Sequence, residues 1–431
     1  MAKQPRRAVI TGIGVISPIG MDVSSYWRSL TEGQSGVRSI SYMDVSLYDC
    51  KIAANVPNFN EKYAREVFKA NRDHAKSLKV MARTIQMGVT AAQFAMLDAG
   101  MTKGKIDPTR IAVEFGAAIV HTDLDDVARA CKISTPADTG KVDFATWGER
   151  GLKEIPPLWM LKYLPNMPSC HVSIQHDIQG PSNTITVADA SSLLALGEAY
   201  RILNRDLVDY VLVGGTESKI TPLNFARQSL YQPLTKTGNA TPEKALRPFD
   251  RDRDGTVLGE GAAAYGLEEL ESARARNAKI YAEVCGFAAG CDRDRQGKIL
   301  ARIMRRAMDE AGITPADVDH VNAHGLGTVE SDLWEARAIR DVFGDSVPVV
   351  GYKGYLGSLG PAASVLEMLG SILALKEGRL PPTLNCDHPD PSCGLAVHNR
   401  GLRKVSKPYA LKLSFSDMGQ AGAVVLRAWH D

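Results

Sequence analysis

The sequence predicts an α/β protein made of two similar halves, and three observations carry that expectation. A chain of 431 residues exceeds what one hydrophobic core usually organises, so two compact units or one duplicated unit is expected. Strand-like β-branched runs alternate with helical stretches, the pattern of a sheet flanked by helices. A weak internal repeat completes the set: "AMLDAGMTKGKIDPTRIAVEFGA" and "RAMDEAGITPADVDHVNAHG" share a helix, an Ala-Gly stop, a Pro-containing loop and a strand.

Along the chain, "RAVITGIGV" is expected as the first strand, "LKVMARTIQMGVTAAQFAMLDAG" as a helix and "RIAVEFGAA" as a second strand. A less regular insertion over about residues 121–168 follows, rich in turn residues and aromatics. Such segments cap a pocket or a subunit contact. "TVADASSLLALG" (Thr186 to Gly197) then runs from a strand into a buried helix, with Asp189 at the junction. Further strands are expected at "DYVLVGG" and "KIYAEVCGFAAG". The charged stretch "LEELESARARNAKI" joins the halves near residue 270, dividing the chain into 1–270 and 271–431. It is too poor in Pro and Ser for a flexible linker.

Composition excludes several function classes. A net charge of +2 with 44 % hydrophobic residues describes an ordinary globular protein and no binder of nucleic acid. Seven scattered cysteines without a CxxC pair suit reduced thiols in a cytoplasm and argue against a disulfide framework or a metal site. The glycine-punctuated, β-branched opening is expected as a strand and no signal peptide. No run reaches the roughly 18 apolar residues of a membrane span.

Several motifs fall short of the chemistry they resemble. In "GIGVISPIG" the third glycine comes too late for a dinucleotide loop, and Pro18 stands where the helix should run. "GYKGYLGSLGPAAS" lacks the Gly-Lys-Ser/Thr ending of a phosphate loop. In "DRDRDGTVLGEG", Asp250, Asp252, Asp254 and Gly255 match a calcium loop, but Glu260 arrives one residue early. "VNAHGLGTVESDLWE" has more promise. His324 leaves a strand beside glycines, Asp332 and Glu335 follow on a helix, and Lys353 ends the strand-like "VPVVGYK". Strand ends gathered over a sheet are where α/β proteins build sites.

Together these segments resemble the β-ketoacyl-acyl carrier protein synthases, the condensing enzymes of fatty acid and polyketide synthesis. The resemblance runs in order through "RAVITGIGVISPIG", "LPNMPSCHVSIQHDIQGPSNTITVADASS", "DYVLVGGTES", "LRPFDRDRDGTVLGEGAAAYGLEELESARARNAKIYAEVCGF", "VNAHGLGTVESD", "VVGYKGYLGSLGPAAS" and "PPTLNCDHPD". It implies a thiolase-like fold, two α/β halves in α-β-α-β-α layers, dimerising across the strand after "GPSNTITV". It also implies substrates carried as acyl-phosphopantetheine on acyl carrier protein, with no cofactor bound by the chain itself.

In that family a helix N-terminal cysteine takes the acyl group, and two histidines assist decarboxylation of a malonyl thioester. Carried over by position, the nucleophile falls on Asp189 and the first histidine on His324. The lysine falls on Lys353, with Glu335 as its acidic partner, and the second histidine on Ser358. The oxyanion and gating loop falls on "SDMGQA", with Ser416, Asp417, Met418 and Gly419 in place of Gly-Phe-Gly-Gly. A carboxylate attacking a thioester gives a mixed anhydride, a higher-energy acyl donor than its source, so no stable acyl-enzyme should form. The structural expectation for Asp189 is instead a helix N-cap accepting from backbone N–H groups. These departures suit a chain-length-factor-type subunit paired with a cysteine-bearing ketosynthase. The alternatives are a homodimer, or an enzyme, a malonyl decarboxylase or atypical 3-oxoacyl synthase, using His324 and Lys353.

Overall fold

A computed structural model describes residues 6–101, 104–119 and 122–430; residues 1–5, residue 431 and the first residue of the expected insertion, His121, lie outside them. One mixed sheet of ten strands spans the molecule. Its first five strands in spatial order from the seam are Ala8–Ile16, Glu260–Glu269, Tyr210–Ser218, Ile111–Gly116 and Ser182–Ile185. The other five are Ala282–Cys291, Gln420–Ala428, Tyr409–Phe415, Val318–Asn322 and Val349–Val350. Both sets run antiparallel, antiparallel, parallel, parallel. The sequence repeat is thus a structural repeat.

The two sets meet through a short antiparallel pairing of Ala8, Val9 and Ile10 with Val284, Glu283 and Ala282. The central strands are buried along their whole length, as their continuous Val, Ile, Ala and Gly runs require when helices cover both faces. Helix Ser191–Asn204 packs on strands of both halves, and so does helix Ala363–Glu377, so these two form the middle layer. The second is buried from Ala363 to Leu375, which is why it is apolar on every side. Helix Arg83–Asp98 covers the outer face of the first set and Lys298–Ala311 that of the second. The order is therefore α-β-α-β-α.

The close spacing of these layers has a steric cause. A side chain at Gly116 would place a Cβ 2.4 Å from the Ser192 amide nitrogen, so only glycine lets the middle helix approach the strand that supports it. The segment before that helix is irregular, with short helices Leu124–Ile133 and Phe144–Glu149. It turns Phe144, Leu152, Leu158 and Met160 outward. Among the described residues no helix is long and apolar enough to cross a membrane.

Candidate functional site

Strand ends from both halves converge on a cavity of about 570 Å³ lined by Asp189, Glu217, Lys219, Asn224, His324, Thr328, Trp334, Phe415 and Asp417, among others. Asp189 sits in a short 3-10 turn, Ala188–Ala190, that leads directly into helix Ser191–Asn204. Ala188 adopts φ of 50°, a left-handed conformation that costs an alanine about 1–2 kcal/mol. That sharp turn aims the next side chain at the cavity. The main chain is held from the other half: the Asp189 carbonyl accepts hydrogen bonds from Ser364 Oγ at 2.9 Å and Ser414 Oγ at 3.1 Å.

The N-cap expectation for Asp189 is not met. The helix has no side-chain cap; Ser191 Oγ instead accepts from the Val187 N–H at 2.9 Å and donates to the Ala188 carbonyl at 2.6 Å. The carboxylate lines the cavity instead. There Asp189 Oδ2 faces Lys219 Nζ at 3.8 Å, while Oδ1 is buried without a partner.

His324 follows strand Val318–Asn322 and is 2 % exposed. Glu335, on helix Val329–Phe343, accepts from the His324 N–H at 2.6 Å and the Gly325 N–H at 2.8 Å. Asp332, one turn earlier, accepts from Gly327 at 3.0 Å and Phe249 at 2.8 Å. The two carboxylates therefore hold backbone loops. Burial raises both, Glu335 to about 7 and Asp332 to about 6.

The pairing of Lys353 with Glu335 is thereby corrected. Lys353 opens a short helix, Lys353–Leu356, and lies fully buried behind the imidazole. Its ammonium donates to His324 Nδ1 at 3.2 Å, the His324 carbonyl at 2.7 Å and Glu367 Oε1 at 2.6 Å. Glu367 projects from the buried middle helix and also accepts from Lys412 Nζ at 2.5 Å. Lys412 in turn donates to Asn322 Oδ1 and the Ala323 carbonyl. One carboxylate thus bridges two buried lysines.

This arrangement fixes the state of the histidine. Burial, and then the Lys353, Lys412 and Lys219 cations, push His324 well below the usual imidazole range, so the ring is neutral at pH 7. With Nδ1 accepting from Lys353, the ring proton is on Nε2. His324 packs on Phe415 with ring centroids 4.6 Å apart, and Phe415 on Trp334 at 4.4 Å.

The remaining expected positions divide. Ser358 is fully buried, its hydroxyl has no partner, and it does not line the cavity; its backbone bonds to Val257 and Gly259. Ser416 to Gly419 form the hairpin turn between strands Tyr409–Phe415 and Gln420–Ala428. Ser416 is buried and Asp417 lines the cavity, whereas Met418 is exposed. Gly419 closes the turn onto the Ser416 carbonyl with φ of 93°.

Lys219 and Glu217, which the motif reading passed over, close the floor. Burial raises Glu217 to about 7. Gly360 has φ of 53°, and a Cβ there would lie 2.7 Å from Lys219 Cε, so a glycine two residues after Ser358 makes room for the lysine.

No cysteine is among the described residues lining the cavity, yet its architecture matches known proteins over nearly the whole chain. Residues 6–273 match the beta-ketoacyl synthase N-terminal domain and residues 281–387 its C-terminal domain. The 3-oxoacyl-[acyl-carrier-protein] synthase 2 of Coxiella burnetii (strain RSA 493 / Nine Mile phase I) is 34 % identical over 99 % of this chain and 100 % of its own. A beta-ketoacyl synthase from Burkholderia phymatum STM815 superposes with a TM-score of 0.86 at 28 % identity, covering 99 % and 100 % of the two chains. The ishigamide ketosynthase/chain length factor gives 0.84 at 29 %, with the same coverage. With both domain models matched and a 34 % identical relative covered along its whole length, the chain belongs to the beta-ketoacyl synthase family.

Proposed function

We propose that this protein is a non-condensing subunit of fatty acid or polyketide biosynthesis, of the chain-length-factor type, which pairs with a cysteine-bearing β-ketoacyl synthase and shapes its acyl pocket. The observation that carries this reading is the cavity floor. Where acyl transfer needs a thiolate, Asp189 stands beside Lys219 with no sulfur among the described residues lining the cavity, and oxygen there cannot store an acyl group at thioester energy. The retained architecture supports an interface role. Ser182–Ile185 is an edge strand, Ser182 and Asn183 are exposed, and an unpaired edge is a template for strand addition. The outward Phe144, Leu152 and Leu158 suit burial against a partner. All seven cysteines are free, which suits a reducing cytoplasm.

Co-expression with an active ketosynthase tests the proposal. The two chains should co-purify as a heterodimer, and omitting this chain should change the partner's activity or product length. A partner that keeps both in its absence refutes it.

One observation favours a second reading, an enzyme acting on acyl carrier protein thioesters as a malonyl decarboxylase or atypical 3-oxoacyl synthase. His324 is neutral, donates from Nε2 and is braced by Lys353, a competent hydrogen-bond donor to a developing enolate. Carbon dioxide release from malonyl carrier protein by the isolated chain, lost in His324→Ala, would establish it. Equal release by both proteins would remove it.

A further inference from the structure

Two outer helices of the second half carry an uncompensated cationic face. Helix Lys298–Ala311 buries Leu300, Ile303, Met304, Ala307 and Met308 and turns Lys298, Arg302, Arg305 and Arg306 to solvent. Their spacing of about one turn sets them in a single stripe about 12 Å long. Helix Val329–Phe343 lies alongside and runs the same way, since Gly297 abuts Trp334 and Ala338 while Arg305 pairs with Asp341 at 3.1 Å. It adds the exposed Arg337 and Arg340. Among the described residues, Lys298, Arg302, Arg306 and Arg340 meet no carboxylate within ion-pair distance.

The carboxylates nearby are engaged or stand at the ends. Asp341 holds Arg305, Glu330 holds Arg295, and Glu310 accepts from the Phe287 N–H at 3.0 Å. Asp294 precedes the first helix, Asp309 lies in its last turn and Asp345 follows the second helix. The internal repeat sharpens the contrast. The corresponding helix of the first half, Arg83–Asp98, has no charge between its two ends and is buried from Thr84 to Ala92, packed against helices Met167–His176 and Glu61–Val67. One half thus covers its outer helix, and the other leaves it open and charged. Chemistry then selects an occupant. Insertion into a lipid surface needs apolar side chains beside the cations, and Val329, in the first turn, is the one exposed large apolar residue of these two helices. A nucleic acid would bring phosphates against Asp341 and Asp345 and find no exposed aromatic ring to stack on. Carboxylates pair with guanidinium groups two oxygens at a time, and a helix showing them one turn apart repeats at the same 5.4 Å pitch as the arginine stripe, to about an ångström.

We propose that the outer face of helices Lys298–Ala311 and Val329–Phe343 is a docking surface for an acidic helix of a partner protein, whose carboxylates pair with Arg302, Arg306 and Arg340. The inference goes beyond the subunit role and does not depend on it: the edge strand Ser182–Ile185, offered for subunit pairing, ends the other half of the sheet. Contacts of this kind sit in water and are screened by salt, so the surface suits a partner that binds and leaves.

The test is fluorescence polarisation of the full chain with labelled alanine-rich helical peptides of about 15 residues, alike except for glutamate, glutamine or lysine along one face. The glutamate peptide should bind at least about tenfold more tightly than the glutamine peptide at about 50 mM salt, and lose most of that margin at about 300 mM. Arg302→Glu/Arg306→Glu, at exposed positions, should lose the glutamate peptide by at least about tenfold and take up the lysine peptide in its place. Arg72→Glu/Lys79→Glu makes the same change of net charge at exposed positions of the first half and should leave glutamate-peptide binding as it was. Equal binding of the glutamate and glutamine peptides overturns the proposal. An equal loss in both double variants does so too, by showing that net charge alone is read. Tighter binding of a DNA duplex or of phosphatidylglycerol vesicles through Arg302 and Arg306 also overturns it, by assigning the face to another class of partner.

Discussion

Replacing Glu367 by glutamine tests the charge arrangement behind His324. The carboxylate lies 2.6 Å from Lys353 Nζ and 2.5 Å from Lys412 Nζ, and all three side chains are fully buried. At an effective dielectric of about 20, each contact carries about 6 kcal/mol of gross Coulomb energy, most of it offset by desolvation. Glutamine keeps one acceptor oxygen but turns an NH₂ toward the other ammonium, leaving two buried cations without a counter-ion between them. The expected loss is about 3–5 kcal/mol of folding stability. Urea unfolding, followed by circular dichroism and tryptophan fluorescence, measures it. Adding Lys412→Met to Glu367→Gln removes one stranded cation, so the double variant should be less destabilised than the sum of the singles by about 0.5–3 kcal/mol. A Glu367→Gln loss below about 1 kcal/mol, or strict additivity, would show that the lysines find their compensation elsewhere.

Two further outcomes follow from the same environments. Burial, with Glu198 nearby, raises the Glu114 carboxyl to about 8; a folded-state pKa above the unfolded value gives stability that is complete below about pH 4.5 and lost as pH rises through about 8. Between those limits Glu114→Gln should reduce the pH slope of stability by about 1.4 kcal/mol per unit, read from thermal midpoints in buffers from pH 5 to 8.5, and an unchanged slope would refute the assignment. Asp189→Cys places a thiol at the entry to helix Ser191–Asn204, beside Lys219. Its iodoacetamide labelling should show a midpoint below the ordinary 8.5, rising when Lys219→Met is added; a midpoint at or above 8.5 would mean that neither the helix nor the lysine favours the anion.

The fold was legible wherever periodicity and repetition spoke. The helix read at residues 78–100 forms as Arg83–Asp98 after a short 3-10 turn, and the strand read from "DYVLVGG" forms as Tyr210–Ser218. The site was legible where a motif fixed a position, as for His324. It was not legible where partners are chosen by layer packing. Glu335 stands near His324 in sequence but spends both oxygens on backbone amides, while Lys353 is met by Glu367 from a helix of the middle layer. A signal existed: Glu367 and Lys412 are lone charges inside the apolar runs "ASVLEMLGSILAL" and "YALKLSF", and a charge buried in such company needs an opposite partner. Lys219 carried no such mark, because its neighbours "ESKIT" look like an ordinary strand exit. The N-cap reading of Asp189 failed because the three-residue 3-10 turn Ala188–Ala190, invisible to helix periodicity, puts Ala190 and not Asp189 at the cap position of the helix.

The grip of Ser364 and Ser414 on the Asp189 carbonyl bears on how such a protein could arise. Both bonds engage the main chain and ignore what hangs from it. The position of this peptide is therefore set independently of side-chain identity at residue 189, and chemistry could be exchanged there without dismantling the scaffold. A fold that anchors this corner by the backbone leaves the side chain at residue 189 an evolutionary variable, exchangeable while the scaffold stands.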